Sequence, residues 1–281
     1  MKSLELLNHF KRIGKWVNWE KTVDQFLYGD PESEVKGIAV SWMPTLNNLE
    51  KALKEGCNLF VTHEALFAAK IDEDGNIIDG PIIKDPHARW IAGKRKLVPD
   101  DIWIRKMEWL EQNKIIVLRC HDFWDNYPDI GVHGAWAKWL GFKKPPLKIV
   151  PYYELHELEE ITLERLSRNI LEKIKPFGQD SIQVIGDLDK KITKIALATG
   201  AASNYRDMHE LGGEALLLTD DGTFFWESGQ WSKDTGIPLI IVNHSLSEEP
   251  GMRTLAKYLE KKFPGIPIFQ IPVGCIFKSL Y

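Results

Sequence analysis

The stretch CNLFVTHE at residues 57–64 sets the pattern for the fold, and two others repeat it, IIVLRCHDFWD at 115–125 and PLIIVNHSLSE at 238–248. Each is an apolar run that ends on a histidine with a carboxylate close behind it. Such runs are typical of buried parallel strands when Gly, Asn or Pro bounds them. Functional sites in open α/β sheets collect at the carboxyl ends of these strands. The pattern therefore predicts a mixed nitrogen and oxygen site for divalent metal.

The composition is that of a globular protein with 44% hydrophobic and 27% charged residues. A length of 281 residues suits one large or two modest α/β domains. The formal charge of −4 predicts no general attraction to nucleic acid, and neither the charge nor the length of any apolar run predicts a membrane partner. Three widely spaced cysteines and an N-terminus without a signal-peptide core predict a cytoplasmic protein.

Periodicity and turn signals predict helices alternating with strands. A first helix is expected from Ser3 to about Phe26, and a last one from Pro250 to Lys262. The run DEDGN at 72–76 predicts the turn of a β-hairpin insert, because it lacks the ligand spacing of a calcium loop.

The two halves of the chain share one order of elements. In each, a helix ends at a glycine (Gly56, Gly236), a strand follows, and the strand ends in a histidine (His63, His244). Pro145 and Pro146 mark a connection between the halves. The predicted fold class is α/β, with two similar lobes, 1–143 and 144–281, whose mixed or mostly parallel sheets face a shared central metal-site cleft.

Several side chains after these strands are candidate ligands, and each has a structural alternative. Glu64 could be a surface residue, and His63 could be a hydrogen-bonded core residue. Asp125 could cap a turn in its loop, and Glu248 could form a capping box with Ser245. The candidate metal ligands are His63, Glu64, Asp125, His244 and Glu248.

His121 is expected to carry a proton or to support a ligand, since imidazole titrates near neutrality. Other catalytic patterns are missing from the sequence, including the GxSxG of serine hydrolases and the GxxxxGK[ST] of nucleotide-binding loops. The run GAAS at 200–203 predicts a tight turn between a strand and a helix.

At these residues the chain resembles a divergent member of the NIF-three-like family, also described as the dinuclear-metal or GTP-cyclohydrolase-type-2-like family. The run THEAL at 62–66 is similar to the family's Thr-His-His-Pro-Leu. HDFWD at 121–125 with GVH at 131–133 is similar to His-Thr-Asn-Leu-Asp followed by Gly-Val-Asn. NHSLSE at 243–248 matches Gly-His-x-x-x-Glu, and DQFLYGD at 24–30 is similar to Asp-Asn-x-Gly-Leu-x-x-Gly-Asp.

The resemblance implies a two-metal site with Glu64 in place of the usual second histidine. It also implies a ring-like homo-oligomer, often a hexamer. Glu64 exchanges a neutral nitrogen ligand for an anionic oxygen, which shifts metal preference toward Mn, Fe or Mg. The expected cofactors are two divalent ions, Zn, Mn or Fe, held by His63, Glu64, Asp125, His244 and Glu248.

The leading hypothesis is a metal-dependent hydrolase with a dinuclear centre that acts on a small phosphate ester or nucleotide-like substrate. His121 is the expected proton carrier. The alternative is a noncatalytic metal-binding ring scaffold or a metal-linked regulatory protein. An open position at the metals would favour catalysis, whereas closure by protein ligands would favour the scaffold.

Overall fold

A computed structural model describes residues 1–66, 70–71, 77–79 and 101–280 of the chain. The chain divides into two compact units, each built from two segments. The first unit is Met1–Phe123 with Leu259–Ile271, and the second is Trp124–Tyr258 with Pro272–Tyr281. The division into lobes at residue 143 stays a prediction.

The first unit is built on a five-stranded mixed sheet with the order β1-β6-β3-β2-β13. Four of these strands run parallel, and only β1 pairs antiparallel, with β6. A separate antiparallel pair, β4 and β5, belongs to the same unit. The strands are β1 (Phe26–Tyr28), β2 (Ile38–Ser41), β3 (Leu59–Thr62), β4 (Lys70–Ile71), β5 (Ile77–Asp79), β6 (Ile116–Arg119) and β13 (Ile268–Gln270). The helices are α1 (Ser3–Ile13), α2 (Leu46–Lys54) and α3 (Asp101–Asn113).

The central strands β2, β3 and β6 are buried at every position, as expected for parallel strands covered on both faces. Leu49 of α2 and Leu110 of α3 pack with Phe60 and Val117 of the sheet in one core cluster. Helix α2 begins at Thr45, whose hydroxyl accepts the amide hydrogen of Asn48. These contacts hold the helices against the sheet and thereby fix the direction in which the chain leaves the carboxyl end of β3.

The second unit is built on a six-stranded mixed sheet with the order β7-β8-β10-β11-β12-β9. Strands β10, β11 and β12 run parallel, and the outer strands pair antiparallel. The strands are β7 (Lys148–Val150), β8 (Tyr153–Thr162), β9 (Gln183–Ile185), β10 (Lys191–Ala198), β11 (Ala215–Thr219) and β12 (Leu239–Val242). The later helices are α4 (Asp122–Asp125), α5 (Val132–Leu140), α6 (Leu163–Ile174), α7 (Tyr205–Glu210), α8 (Gln230–Thr235) and α9 (His244–Lys262).

The predicted α/β class, with two mixed sheets, is confirmed, and so are the three histidine-terminated strands β3, β6 and β12. The β4–β5 pair confirms part of the hairpin insert. Its predicted turn at 72–76 lies outside the described residues. Among the described helices, none combines the length and apolar character needed to cross a membrane.

The first predicted helix is too long, because α1 ends at Ile13. The residues that follow form a loop whose indoles are held by tertiary contacts. Trp19 donates its Nε1 hydrogen to the carbonyl of Gly14 at 2.9 Å, and Trp16 donates to the carbonyl of Phe123 at 3.1 Å. The helical spacing of these tryptophans therefore reflects packing around the Phe123 ring rather than a continued helix.

The last predicted helix is too short, because α9 begins at His244 and contains Pro250. Asp220 accepts the amide hydrogen of His244 at 2.7 Å and a side-chain hydrogen of Asn243 at 2.6 Å, which satisfies donors at the helix start. Pro250 therefore lies inside the helix and not at its first turn. Glu248 is consequently a helical residue, one turn after His244.

Strand β7 and the ten-residue β8 form an antiparallel hairpin. Tyr152 lies between them with a φ of 73°, a left-handed conformation that a bulky residue rarely adopts. Sequence periodicity does not signal this turn.

Close packing of α9 against α5 depends on the absence of a side chain at Gly251. A Cβ atom there would lie 2.9 Å from the Cα atom of Val132. We expect Gly251→Ala to lower the free energy of unfolding by about 1–3 kcal/mol, because the backbone atom cannot move aside cheaply. Urea denaturation followed by circular dichroism measures the change.

Lys257→Ala, on the exposed side of α9, is the matched control and should change the stability by less than about 0.5 kcal/mol. Equal stability of the two variants would show that the helices do not pack this closely.

Candidate metal centre

His63 follows β3 directly and is fully buried. Its amide donates to the carbonyl of Ser41 at 3.2 Å, and the amide of Glu64 donates to the carbonyl of Trp42 at 2.8 Å. The pairing between β2 and β3 thus continues past the last strand residue. The backbone of both candidate ligands is therefore held by the sheet.

His121 lies beside His63, because β6 is the parallel neighbour of β3. The two imidazole rings stack with their centroids 4.3 Å apart and their planes 16° from parallel. Their nitrogen atoms approach within 4.8 Å of each other. The carboxyl ends of two adjacent strands thus place two nitrogen donors side by side, with His63 buried and His121 half-buried.

His121 is oriented by Asp122. Its Nδ1 atom lies 3.0 Å from Oδ1 of Asp122, whose Oδ2 accepts the hydroxyl hydrogen of Thr22 at 2.8 Å. The hydrogen bond from His121 is the main reason that the pKa of the Asp122 carboxyl falls to about 2. An ionised carboxylate only accepts, so the proton belongs on Nδ1 and the lone pair on Nε2.

Asp24 holds the backbone that carries His121. Its buried carboxylate accepts three consecutive amide hydrogens, from His121 at 2.5 Å, Asp122 at 3.1 Å and Phe123 at 2.7 Å. Burial raises the pKa of the Asp24 carboxyl to about 6, although the amide hydrogen bonds oppose that shift. These contacts give a structural role to the aspartate that opens the run DQFLYGD.

Glu64 is paired with a buried arginine. Its Oε2 atom lies 3.5 Å from Nη2 of Arg119, and the Nε–H of Arg119 donates to the carbonyl of His63 at 3.0 Å. The surface-residue interpretation of Glu64 is therefore wrong, since its side chain is only 20% exposed.

His244 is the first residue of α9 in the second unit, and a carboxylate oxygen lies close to each of its two ring nitrogens. Its Nδ1 lies 2.6 Å from Oδ2 of Asp221, and its Nε2 lies 3.2 Å from Oε2 of Glu248. The hydrogen bond from His244 lowers the pKa of the Asp221 carboxyl. This confirms that the i, i+4 spacing brings His244 and Glu248 together.

The capping interpretation of Ser245 finds no support in these contacts, because the Ser245 hydroxyl lies 2.8 Å from Oδ1 of Asn243 and 2.9 Å from the carbonyl oxygen of Gly274, and its one hydrogen serves these acceptors. Glu248 is buried, with 4% of its surface exposed.

Gly200 keeps open the space beside His244 and Glu248. It has a φ of +60°, and a Cβ atom on it would lie 2.4 Å from Oε1 of Glu248 and 2.9 Å from Nε2 of His244. Its carbonyl accepts hydrogens from Ser203 and Thr219, which fixes the turn. The run GAAS is thus a tight turn after β10, as predicted, and it also borders the candidate ligands.

Asp125, the last residue of α4, is buried in the second unit. It lines a cleft of about 630 Å³, which is within the usual size of small-molecule sites. Apolar and aromatic side chains make up much of its wall, including Phe142 and Tyr152. Asp125 is also a candidate metal-ligand residue by residue type and burial.

Sequence reasoning missed the residues that orient these candidates, which are Asp122, Asp221 and Arg119. Asp122 adjoins His121 and could have been noticed on that ground. Asp221 lies 23 residues before its partner, in the run TDDG at 219–222, and carries no signal. In the first unit the structure groups His63, Glu64 and His121, and in the second it groups His244 and Glu248. Their convergence on one centre stays a prediction.

The loop that carries His121 should depend on Asp24. We expect Asp24→Ala to lower the free energy of unfolding by about 1–3 kcal/mol, because three buried amide donors lose their acceptor. Asp24→Asn keeps one acceptor oxygen and should lose less. Urea denaturation measures both, with exposed Glu20→Ala as the control. A change below about 0.5 kcal/mol for Asp24→Ala would contradict this role.

Comparison with known proteins agrees with this architecture. The chain is 22% identical over 240 residues to a GTP cyclohydrolase 1 type 2 homolog of Clostridium acetobutylicum, covering 83% of this chain and 80% of the relative. It is 24% identical to the homolog of that name from Clostridium perfringens, covering 93% and 91%.

The fold is similar to that of Staphylococcus aureus hypothetical protein SA1388, with a TM-score of 0.74, 19% identity and coverage of 100% and 99%. It is also similar to reduced HcgD from Methanocaldococcus jannaschii, with a TM-score of 0.68, 18% identity and coverage of 96% and 97%. The family model of Duf34/NIF3 (NGG1p interacting factor 3) matches residues 86–276, well over half of the chain. The chain therefore belongs to the Duf34/NIF3 family.

Proposed function

We propose that this protein is a metal-dependent hydrolase with a dinuclear centre held by His63, Glu64, Asp125, His244 and Glu248. The observation that carries the proposal is the arrangement around His244. Asp221 binds its Nδ1, so the Nε2 lone pair is directed to the side where Glu248 lies. Histidines that ligate metals usually have their other ring nitrogen hydrogen-bonded in this way, and the partner raises the basicity of the ligand.

The residues present fit divalent metal. The set combines imidazole nitrogens with carboxylate oxygens, a mixture that suits Zn, Mn or Fe. Gly200 supports the fit, because it leaves room where a Cβ atom would press on Oε1 of Glu248 and Nε2 of His244. His121 repeats the pattern of His244, with Asp122 on its Nδ1.

Two bound divalent ions would supply Lewis-acid activation of water and, against three carboxylates, a net positive charge that favours an anionic substrate. His121 is the proposed proton carrier. Asp122 keeps the proton on Nδ1, so Nε2 can accept another, and the resulting imidazolium would be stabilised by the same carboxylate.

The cleft beside Asp125 supports a small-molecule substrate. Phe142 and Tyr152 offer aromatic surface for a planar group, and Lys143 on the same wall offers a cation for a phosphate. The names of the two clostridial relatives, GTP cyclohydrolase 1 type 2 homologs, support a nucleotide-like compound as one member of this class.

We also propose that the protein forms a homo-oligomer, for example a hexamer. The proposed location is the cytoplasm. Edge strand β7 supports association, because Ile149 is 68% exposed on it and Leu147 just before it is 49% exposed. Apolar side chains on an exposed sheet edge favour pairing with another chain. Light scattering of the purified protein measures the assembly.

The hydrolase proposal is tested with metal-depleted full-length protein reloaded with Mn²⁺, Zn²⁺ or Fe²⁺. We expect metal-dependent turnover of at least one compound in a panel of phosphate esters and nucleotides, and we expect Asp125→Ala to reduce it at least 100-fold. Asp234→Ala, an exposed carboxylate on α8, is the control and should keep full turnover. Metal binding without any turnover that Asp125→Ala abolishes would contradict catalysis and favour the metal-binding scaffold.

The role of Gly200 is tested by metal affinity. We expect Gly200→Ala to weaken metal binding at least tenfold, because its methyl group would displace Glu248. Gly236→Ala is a matched control, since Gly236 has a similar φ of +70° and no atom within 4 Å of the added Cβ. Both variants carry the same backbone strain of about 1 kcal/mol. Equal metal affinities, measured by isothermal titration calorimetry, would contradict the assignment.

A further inference from the structure

Arg119 brings a permanent positive charge to the residues proposed to bind metal. It is the last residue of β6 and pairs in register with Thr62, the residue before His63. Only 7% of its surface is exposed. Its Nε–H donates to the carbonyl of His63 at 3.0 Å, and its Nη2 lies 3.5 Å from Oε2 of Glu64.

A buried guanidinium needs a counterion. Arginine does not lose its proton in a folded protein, so burial cannot neutralise it as it can neutralise a lysine. Leaving such a charge without an anion is costly. The Glu64 carboxylate lies within ion-pair distance of Arg119, at 3.5 Å, and so contributes to this compensation.

The Arg119 guanidinium and the proposed metal ion would therefore compete for the Glu64 carboxylate. A divalent ion bound to its carboxylate would stand close to the guanidinium, and like charges in a buried place repel strongly. Moving Glu64 entirely to the metal would leave Arg119 without that counterion. The nitrogen donors His63 and His121 differ from Glu64 in this respect, because neutral imidazoles are not counterions of a guanidinium and the Nε–H of Arg119 donates to the backbone carbonyl of His63.

We propose that Arg119 makes the two metal positions unequal, so that the position served by Glu64 fills at least tenfold more weakly than the other. This inference rests on the proposed function and refines its metal centre. At low metal supply the guanidinium provides the positive charge at that position. Its N–H groups are also suited to bind the oxygens of an anionic substrate.

Metal counting tests the inference without an activity assay. The full-length protein is stripped with EDTA, and Mn²⁺ and Zn²⁺ binding is measured by isothermal titration calorimetry and by elemental analysis after equilibrium dialysis. We expect wild-type protein to bind one ion per chain first, and a second ion only at a free metal concentration at least tenfold higher.

Two substitutions of Arg119 separate its charge from its packing. Arg119→Met removes the charge and keeps an extended side chain, so the gap between the two affinities should shrink at least tenfold. Arg119→Lys keeps a charge, so the gap should persist. Arg168→Met, an exposed arginine paired with Glu164 on α6, is the matched control and should bind metal as wild type does.

Two ions of equal affinity in wild-type protein would overturn the inference, as would an unchanged gap in folded Arg119→Met or no metal binding by either protein. Should Arg119→Met fail to fold, Glu64→Gln decides. It should remove the weak ion and change the affinity of the tight ion less than threefold, and a tenfold loss of the tight ion would overturn the inference. Unequal binding without phosphoester turnover would leave it standing and reject only the hydrolase.

Discussion

Parallel pairing of β3 with β6 is the constraint on which the candidate centre of the first unit depends. Because Thr62 and Arg119 are partners in register, the segments that follow β3 and β6 leave the sheet side by side. His63 and His121 therefore lie in stacked positions. An antiparallel partner would send its carboxyl end to the opposite edge. Both strands are buried at every position, so packing on the two covered faces of the sheet holds this register. In the second unit, β12 ends in the same way, and His244 begins α9 immediately afterwards.

Neighbouring carboxylates orient these imidazole rings and favour one tautomer. Asp122 and Asp221 each lie within hydrogen-bond distance of the Nδ1 atom of a histidine, which favours the tautomer with its lone pair on Nε2. A neutral imidazole with a defined tautomer is what metal ligation and proton transfer both require. The backbone contributes as much as the side chains do. The Asp24 carboxylate accepts hydrogen bonds from three backbone amides of the loop that carries His121. Gly200 leaves space beside His244 and Glu248 that any side chain would fill.

Glu64 and Arg119 distinguish this chain at the position where the family resemblance implies a second histidine. Glu64 offers an anionic oxygen there, and the buried Arg119 beside it is a cation that would compete with a metal ion for that oxygen. In the proposed metal centre, an ion at this position would compete with an existing ionic contact, and its occupancy would depend on metal supply.

The sequence by itself determined the α/β class, the three strands that end in histidine, and the family to which the chain belongs. Local patterns were sufficient for these features, because burial on both faces requires long apolar runs and a parallel strand places its site at its carboxyl end. Tertiary structure alone decided where α1 ends, that α9 begins at His244 before Pro250, and which carboxylate binds which imidazole. Asp221 and His244, or Glu64 and Arg119, are far apart in the chain, and no local propensity encodes their meeting. Only the folded sheet, which sets strand order and register, determines which distant side chains come within hydrogen-bond distance.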